Sequence, residues 1–96
     1  MPDSAPPSLV GATVNLVYLA RLREAFGQSG ERLALAAAHP TVGDLVAALR
    51  ARGDPWAREL APGRAYRVAV NHEVAGPAVT LRDGDEVALL PPVTGG

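Results

Sequence analysis

Three places in this sequence combine residue types that could do chemistry. They are the histidines His39 and His72, the acidic run Asp83-Gly84-Asp85-Glu86, and the pair Gly95-Gly96 behind Pro91-Pro92. His39 precedes Pro40 and His72 follows Asn71, and neither has a partner at metal or catalytic spacing, so both read as solvated loop residues. With no cysteine in the chain, a zinc site would have to be assembled from these two histidines and carboxylates, and no metal site is expected. The acidic run lacks the further ligands of a twelve-residue calcium loop, and a tight turn entering a strand accounts for it. No phosphate loop, no Ser/His/Asp set and no basic patch interleaved with aromatics is visible. The internal residues offer no self-contained active site.

The carboxyl end is different. Proline cannot donate a ladder hydrogen bond, so Pro91-Pro92 ends the preceding strand and sends the chain off in extended, polyproline-like form. The six residues Pro91, Pro92, Val93, Thr94, Gly95 and Gly96 could project about 20 Å from the body. Gly95-Gly96 has no side chains, so it could pass a narrow channel and present its α-carboxylate deep inside another protein. A free carboxylate is a poor electrophile. Joined to AMP by an ATP-using partner it becomes a mixed anhydride, open to attack by a sulfur donor, and the product is a thiocarboxylate at Gly96.

Composition narrows what the rest can be. Ninety-six residues make one domain with a modest core. A net charge of −1 gives no global attraction to nucleic acid or to an anionic membrane surface, so neither is expected as a partner. All nine basic residues are arginine. The absence of lysine excludes Schiff-base chemistry and excludes the chain as its own lysine acceptor in an isopeptide polymer. Residues 1–12, MPDSAPPSLVGA, lack the basic start and apolar run of a secretory signal, and no stretch approaches the roughly 18 apolar residues of a membrane span. Residues 1–12 read as a flexible leader, and the protein as cytoplasmic.

The elements that must carry the tail follow from periodicity. TVNLVYLA (residues 13–20) is apolar on both parities, as a strand covered on two sides would be. RLREAFG reads as a helical turn ending at Gly27, and ERLALAA (31–37) as a half-buried hairpin partner of the first strand. Thr41 with Asp44 three residues on has capping-box spacing, and Val42, Leu45, Val46 and Leu49 form one helical stripe closed by Gly53. Asp54-Pro55 reads as the cap and first turn of a short helix through Leu60, with Trp56 as a core plug. AYRVAVN (65–71) reads as a strand, NHE as a turn, residues 79–81 as a short strand, and EVALL (86–90) as the last strand. Pairing the two most apolar strands, first and last, in parallel gives an α+β, β-grasp (ubiquitin-like) architecture. Its mixed sheet has four to five strands and one main helix packed on one face. Residues 13–90 would form this domain and residues 91–96 the tail.

Strand parity also marks a second surface. If Val87 and Leu89 face the helix, then Ala88 and Leu90 face away, next to Val17 and Leu19. A domain of this size has no second helical layer to cover them, and an exposed apolar patch of this kind marks a partner surface.

Four stretches, VYLARLREAFG, TVGDLVAALRARG, VAVNHEV and LRDGDEVALLPPVTGG, closely resemble the small subunit of molybdopterin synthase, a ubiquitin-like sulfur carrier related to the thiamine-pathway carriers. DGDEVA followed by PPVTGG is the most specific of the matches. The resemblance implies that Gly96 is adenylated by a ubiquitin-activating-like adenylyltransferase and converted to a thiocarboxylate with sulfur from a donor protein. ATP would be used by the activating partner, with no cofactor bound to this chain. It implies that Pro91 to Gly95 thread into a large subunit, and that Leu19, Val74 and Leu90 contact that subunit. Leu89 and Leu90 are aliphatic where the family often has aromatics. The implied assembly is a heterotetramer, two large subunits with a small subunit at each end. The catalytic residues would lie in the large subunit, so this chain would be a sulfur donor without an active site of its own. A carrier for another pathway (tRNA thiolation, cysteine or thiamine synthesis), a protein modifier, and a β-grasp module with an idle tail remain open on the residues alone.

Overall fold

The computed structural model describes residues 12–91. The leader up to residue 11 and the tail from Pro92 to Gly96 lie outside the described residues. The chain forms β1 (Ala12–Tyr18), α1 (Ala20–Phe26), β2 (Gly30–Leu35), α2 (Val42–Arg50), α3 (Trp56–Glu59), β3 (Arg67–Val70), β4 (Glu73–Val74) and β5 (Glu86–Leu90). The five strands make one sheet in the order β2-β1-β5-β3-β4. β1 and β5 are parallel, with Leu16 opposite Val87 and Tyr18 opposite Leu89, and the other pairings are antiparallel. The expected pairing of first and last strands is therefore observed, and with it the β-grasp arrangement.

One face of the sheet is dry. Val14, Leu16 and Tyr18 of β1, Val68 of β3 and Val87 and Leu89 of β5 point inward against Leu45 and Leu49 of α2. At roughly 1.5–3 kcal/mol for each fully buried large apolar side chain, this layer is the main stabilising term. α2 begins as its spacing predicts: Thr41 Oγ1 accepts from the Asp44 N–H, and Asp44 Oδ2 accepts from the Thr41 N–H. Trp56 is 8% exposed and stacks on Phe26 at 3.9 Å between ring centroids, while Tyr18 meets Phe26 edge-on at 5.0 Å. The expected core plug is thus part of an aromatic trio.

Boundaries and two local assignments differ from expectation. β1 starts at Ala12, one residue early, and yields to α1 after Leu19. The fourth strand is Glu73–Val74, not residues 79–81. Asn71 and His72 both adopt positive φ, 50° and 74°. They form a two-residue hairpin loop that folds Glu73 back opposite Val70, a backbone habit in which Asn and His are enriched. Residues 77–81 instead serve the helix. The Val79 and Pro77 carbonyls accept from the Val42 and Gly43 N–H groups, first-turn donors that α2 itself cannot satisfy, and only Thr80 bridges to Thr41. The third helix also starts differently: its N-cap is Pro55, without a side-chain cap bond, so Asp54 does not cap it.

Candidate functional site

The sheet's second face carries the candidate surface. The registers place Gly30, Val17, Ala88, Ala69 and Val74 side by side in one row across all five strands. Leu90 sits one step further toward the end of β5, opposite Arg67. The Leu19 N–H donates to the Leu89 carbonyl at 3.1 Å, which carries β1 one residue further alongside β5 and puts Leu19 on this same face. Leu19 is 37% exposed and Val74 70% exposed, whereas Ala88 and Leu90 are half-buried. All four residues expected as partner contacts therefore lie on the face that no helix among the described residues covers. The row is made of small and aliphatic residues, with Leu19 and Leu90 beside it. Gly30 is required in that row, because a Cβ there would run into the Leu16 carbonyl of β1.

Pro91 is the last described residue and leaves the sheet half-buried. It lines a cleft of about 280 Å³ together with Arg21, Leu22, Glu59, Arg64 and Tyr66. Pro92, Val93, Thr94, Gly95 and Gly96, the remaining candidate tail residues, lie outside the described residues. Glu59 is the one charged side chain buried among the described residues, and sequence reasoning passed over it. Its carboxylate accepts from Arg21 at 3.0 and 3.2 Å, from Arg64 at 3.3 Å and from Arg58 Nε at 3.4 Å. Burial alone would raise its pKa, but the three guanidinium groups together hold it below the usual carboxylate range.

A second ion cluster ties β1 and β2 to the segment after α2. Arg52 makes a bidentate pair with Glu31 at 2.8 Å and lies 4.6 Å from the centre of the Trp56 ring. The Tyr18 hydroxyl donates to the same carboxylate at 2.6 Å. Burial, reinforced by that bond, pushes the Tyr18 hydroxyl well above its ordinary pKa, and the Arg52 bonds pull Glu31 down.

The other residues weighed for chemistry have structural roles. Asp83 Oδ1 accepts from the Thr13 N–H, and Asp85 accepts from the Arg82 N–H and from the Asn71 amide. The carboxylates of that turn thus secure the start of β5, and no group of three metal-ligating side chains occurs among the described residues. His39 is exposed, and His72 stands 4.0 Å from Glu86 in the β3–β4 turn. Among the described residues, no helix is long and apolar enough to cross a membrane.

Comparison with known proteins agrees with this geometry. A sequence model of the ThiS family matches residues 16–96. The chain belongs to the ThiS family. It is 39% identical to the molybdopterin synthase sulfur carrier subunit of Escherichia coli over 83 residues, which cover 86% of this chain and 99% of that one. Among solved structures, the HVO 2177 protein of Haloferax volcanii superimposes with a TM-score of 0.77 at 29% identity, covering 100% of this chain and 94% of that chain. Small archaeal modifier protein 1 of the same organism superimposes with a TM-score of 0.63 at 33% identity, covering 86% of this chain and 100% of that chain. This ThiS-family chain therefore shares its β-grasp fold and most of its length with sulfur carriers and with a protein modifier.

Proposed function

We propose that this chain is the sulfur carrier subunit of a molybdopterin synthase. The observation that carries the reading is the 39% identity to a sulfur carrier subunit of such an enzyme over 99% of that subunit's length. The uncovered apolar face and the Pro-Pro-Val-Thr-Gly-Gly end support it. In this reading a Gly96 carboxylate oxygen attacks the α-phosphorus of ATP on an adenylyltransferase, and pyrophosphate leaves. A hydrosulfide equivalent from the donor protein then attacks the acyl carbon, a C–S bond forms, and AMP departs with the C–O bond. The thiocarboxylate travels on the tail into the large subunit, where Leu19, Val74, Ala88 and Leu90 form the docking face. Its sulfur attacks a carbon of the pyranopterin precursor and displaces an oxygen substituent from it, and water then cleaves the acyl–sulfur bond, returning the carboxylate and leaving sulfur on the product. Two loaded carriers are consumed for each dithiolene, so each must be released and recharged.

Reconstitution with a large subunit and the precursor tests this directly. The thiocarboxylated chain should support molybdopterin formation, and the chain lacking Gly96 should support none while melting at the same temperature. Equal product from the two would refute the reading. The likeness to small archaeal modifier protein 1 favours a second reading, in which a lysine amine of another protein attacks the adenylate. Conjugates of higher mass in cell extract that vanish on deletion of Gly96 would support it.

A further inference from the structure

Five of the nine arginines, Arg21, Arg50, Arg58, Arg64 and Arg67, gather where the tail leaves the body. Arg64 and Tyr66 form the partition between two clefts. One, described above, is bounded by Arg21 and Pro91; the other, about 400 Å³, has Arg50 and Arg67 on its walls. Glu59 is the one carboxylate lining either cleft. It takes bonds from Arg21, Arg58 and Arg64, so that trio carries a surplus of two positive charges around a single buried anion. Arg21, Arg58 and Arg64 are 61%, 57% and 43% exposed, and each bonds Glu59 through a single nitrogen, leaving its other N–H donors free of that carboxylate. Arg50 Nε is buried without a partner. At the opposite end of β5 the charge reverses, with Asp83, Asp85 and Glu86 clustered at the strand's start. A chain of net charge −1 is therefore polarised along β5, acidic at its Glu86 end and basic beyond Leu90.

We infer that this basic collar at the root of the tail is an electrostatic docking surface for an acidic rim around the tail channel of the adenylating enzyme. The inference rests on the carrier reading and extends it. A carrier must meet its activating enzyme, be charged and depart. Charge complementarity suits that cycle, because it raises the rate of encounter and fixes orientation more than it adds lasting affinity. Stable assembly with a large subunit would fall instead to the apolar face.

The test is adenylation measured by ATP–pyrophosphate exchange with the adenylyltransferase of the same organism, at about 0.1 M and about 1 M salt, between which the screening length falls from about 10 Å to about 3 Å. The wild-type chain should support exchange, with a KM that rises steeply with salt. The double variant Arg21→Gln/Arg64→Gln should raise KM about tenfold at the lower salt with kcat unchanged, and the gap should close at the higher salt. Glu59→Gln removes the anion and leaves the arginines, so its KM should equal or fall below that of wild type even as its melting temperature drops. A structural role alone would make both variants worse together. A wild-type KM indifferent to salt would overturn the inference even if the double variant failed to fold. A double variant with wild-type KM would also overturn it, leaving the carrier reading intact. No exchange with wild type would overturn both.

Discussion

At the scale of single residues, the two arginine-paired carboxylates set the acid behaviour. Glu31 and Glu59 both have pKa values depressed in the folded chain, Glu31 chiefly by its Arg52 bonds, Glu59 by three arginines against the pull of burial. A depressed carboxylate adds stability above its unfolded pKa of about 4.3, and the gain is lost as pH falls through the lower folded value. Melting temperature should therefore hold between neutral pH and about pH 5 and decline below about 4.3. Glu31→Gln should melt lower at neutral pH and show a shallower acid decline; an unchanged acid slope would contradict this. Trp56→Ala, which removes the largest ring of the aromatic trio, should cost about 3–5 kcal/mol in denaturant unfolding. Trp56 was legible as core from its place on a short helix. Glu59 was not, because nothing local in Ala57-Arg58-Glu59-Leu60 announces that Arg21, 38 positions away, will meet it.

At the scale of elements, legibility tracked how local the determining contacts are. α2 could be read residue by residue, since its cap, stripe and stop lie within one short span. β5 matched its expected bounds, Glu86–Leu90, because Gly84 and Pro91 bracket it. β4 escaped detection because a two-residue strand has no period to read, and its hairpin turn uses Asn-His in place of Asn-Gly. Residues 79–81 looked like a strand because they are extended, yet their hydrogen bonds go to a helix end that no sequence window contains. Two substitutions test this layer. Thr41→Ala should cost about 1 kcal/mol through loss of the capping box. Gly30→Ala should destabilise the β1–β2 hairpin, detectable as faster amide exchange than in wild type at Tyr18, whose N–H bonds the Ser29 carbonyl, because the new methyl must displace the Leu16 backbone. Unaltered protection there would show that β2 can shift to make room.

At the scale of the whole molecule, three surfaces divide the work. The inner sheet face holds the core, the outer face carries a row of small and aliphatic residues, and arginines gather beside Pro91. The two-sided apolar pattern of the first and last strands was enough to expose this plan, since a small domain can bury only one of the faces. The collar was hidden, because arginines scattered from position 21 to position 67 converge only when α1, α3 and β3 meet. Leu90→Asp should weaken binding of a molybdopterin synthase large subunit at least about tenfold while leaving stability within about 1 kcal/mol, since the new carboxylate faces Arg67. Normal binding in a titration would contradict the assignment of the outer face. The most direct test of the carrier account is the intact mass of the chain after incubation with its adenylyltransferase, ATP and a sulfur donor. The account predicts a gain equal to one oxygen-for-sulfur exchange, mapped by fragmentation to Gly96. An unchanged mass, or sulfur located anywhere else in the chain, would contradict it.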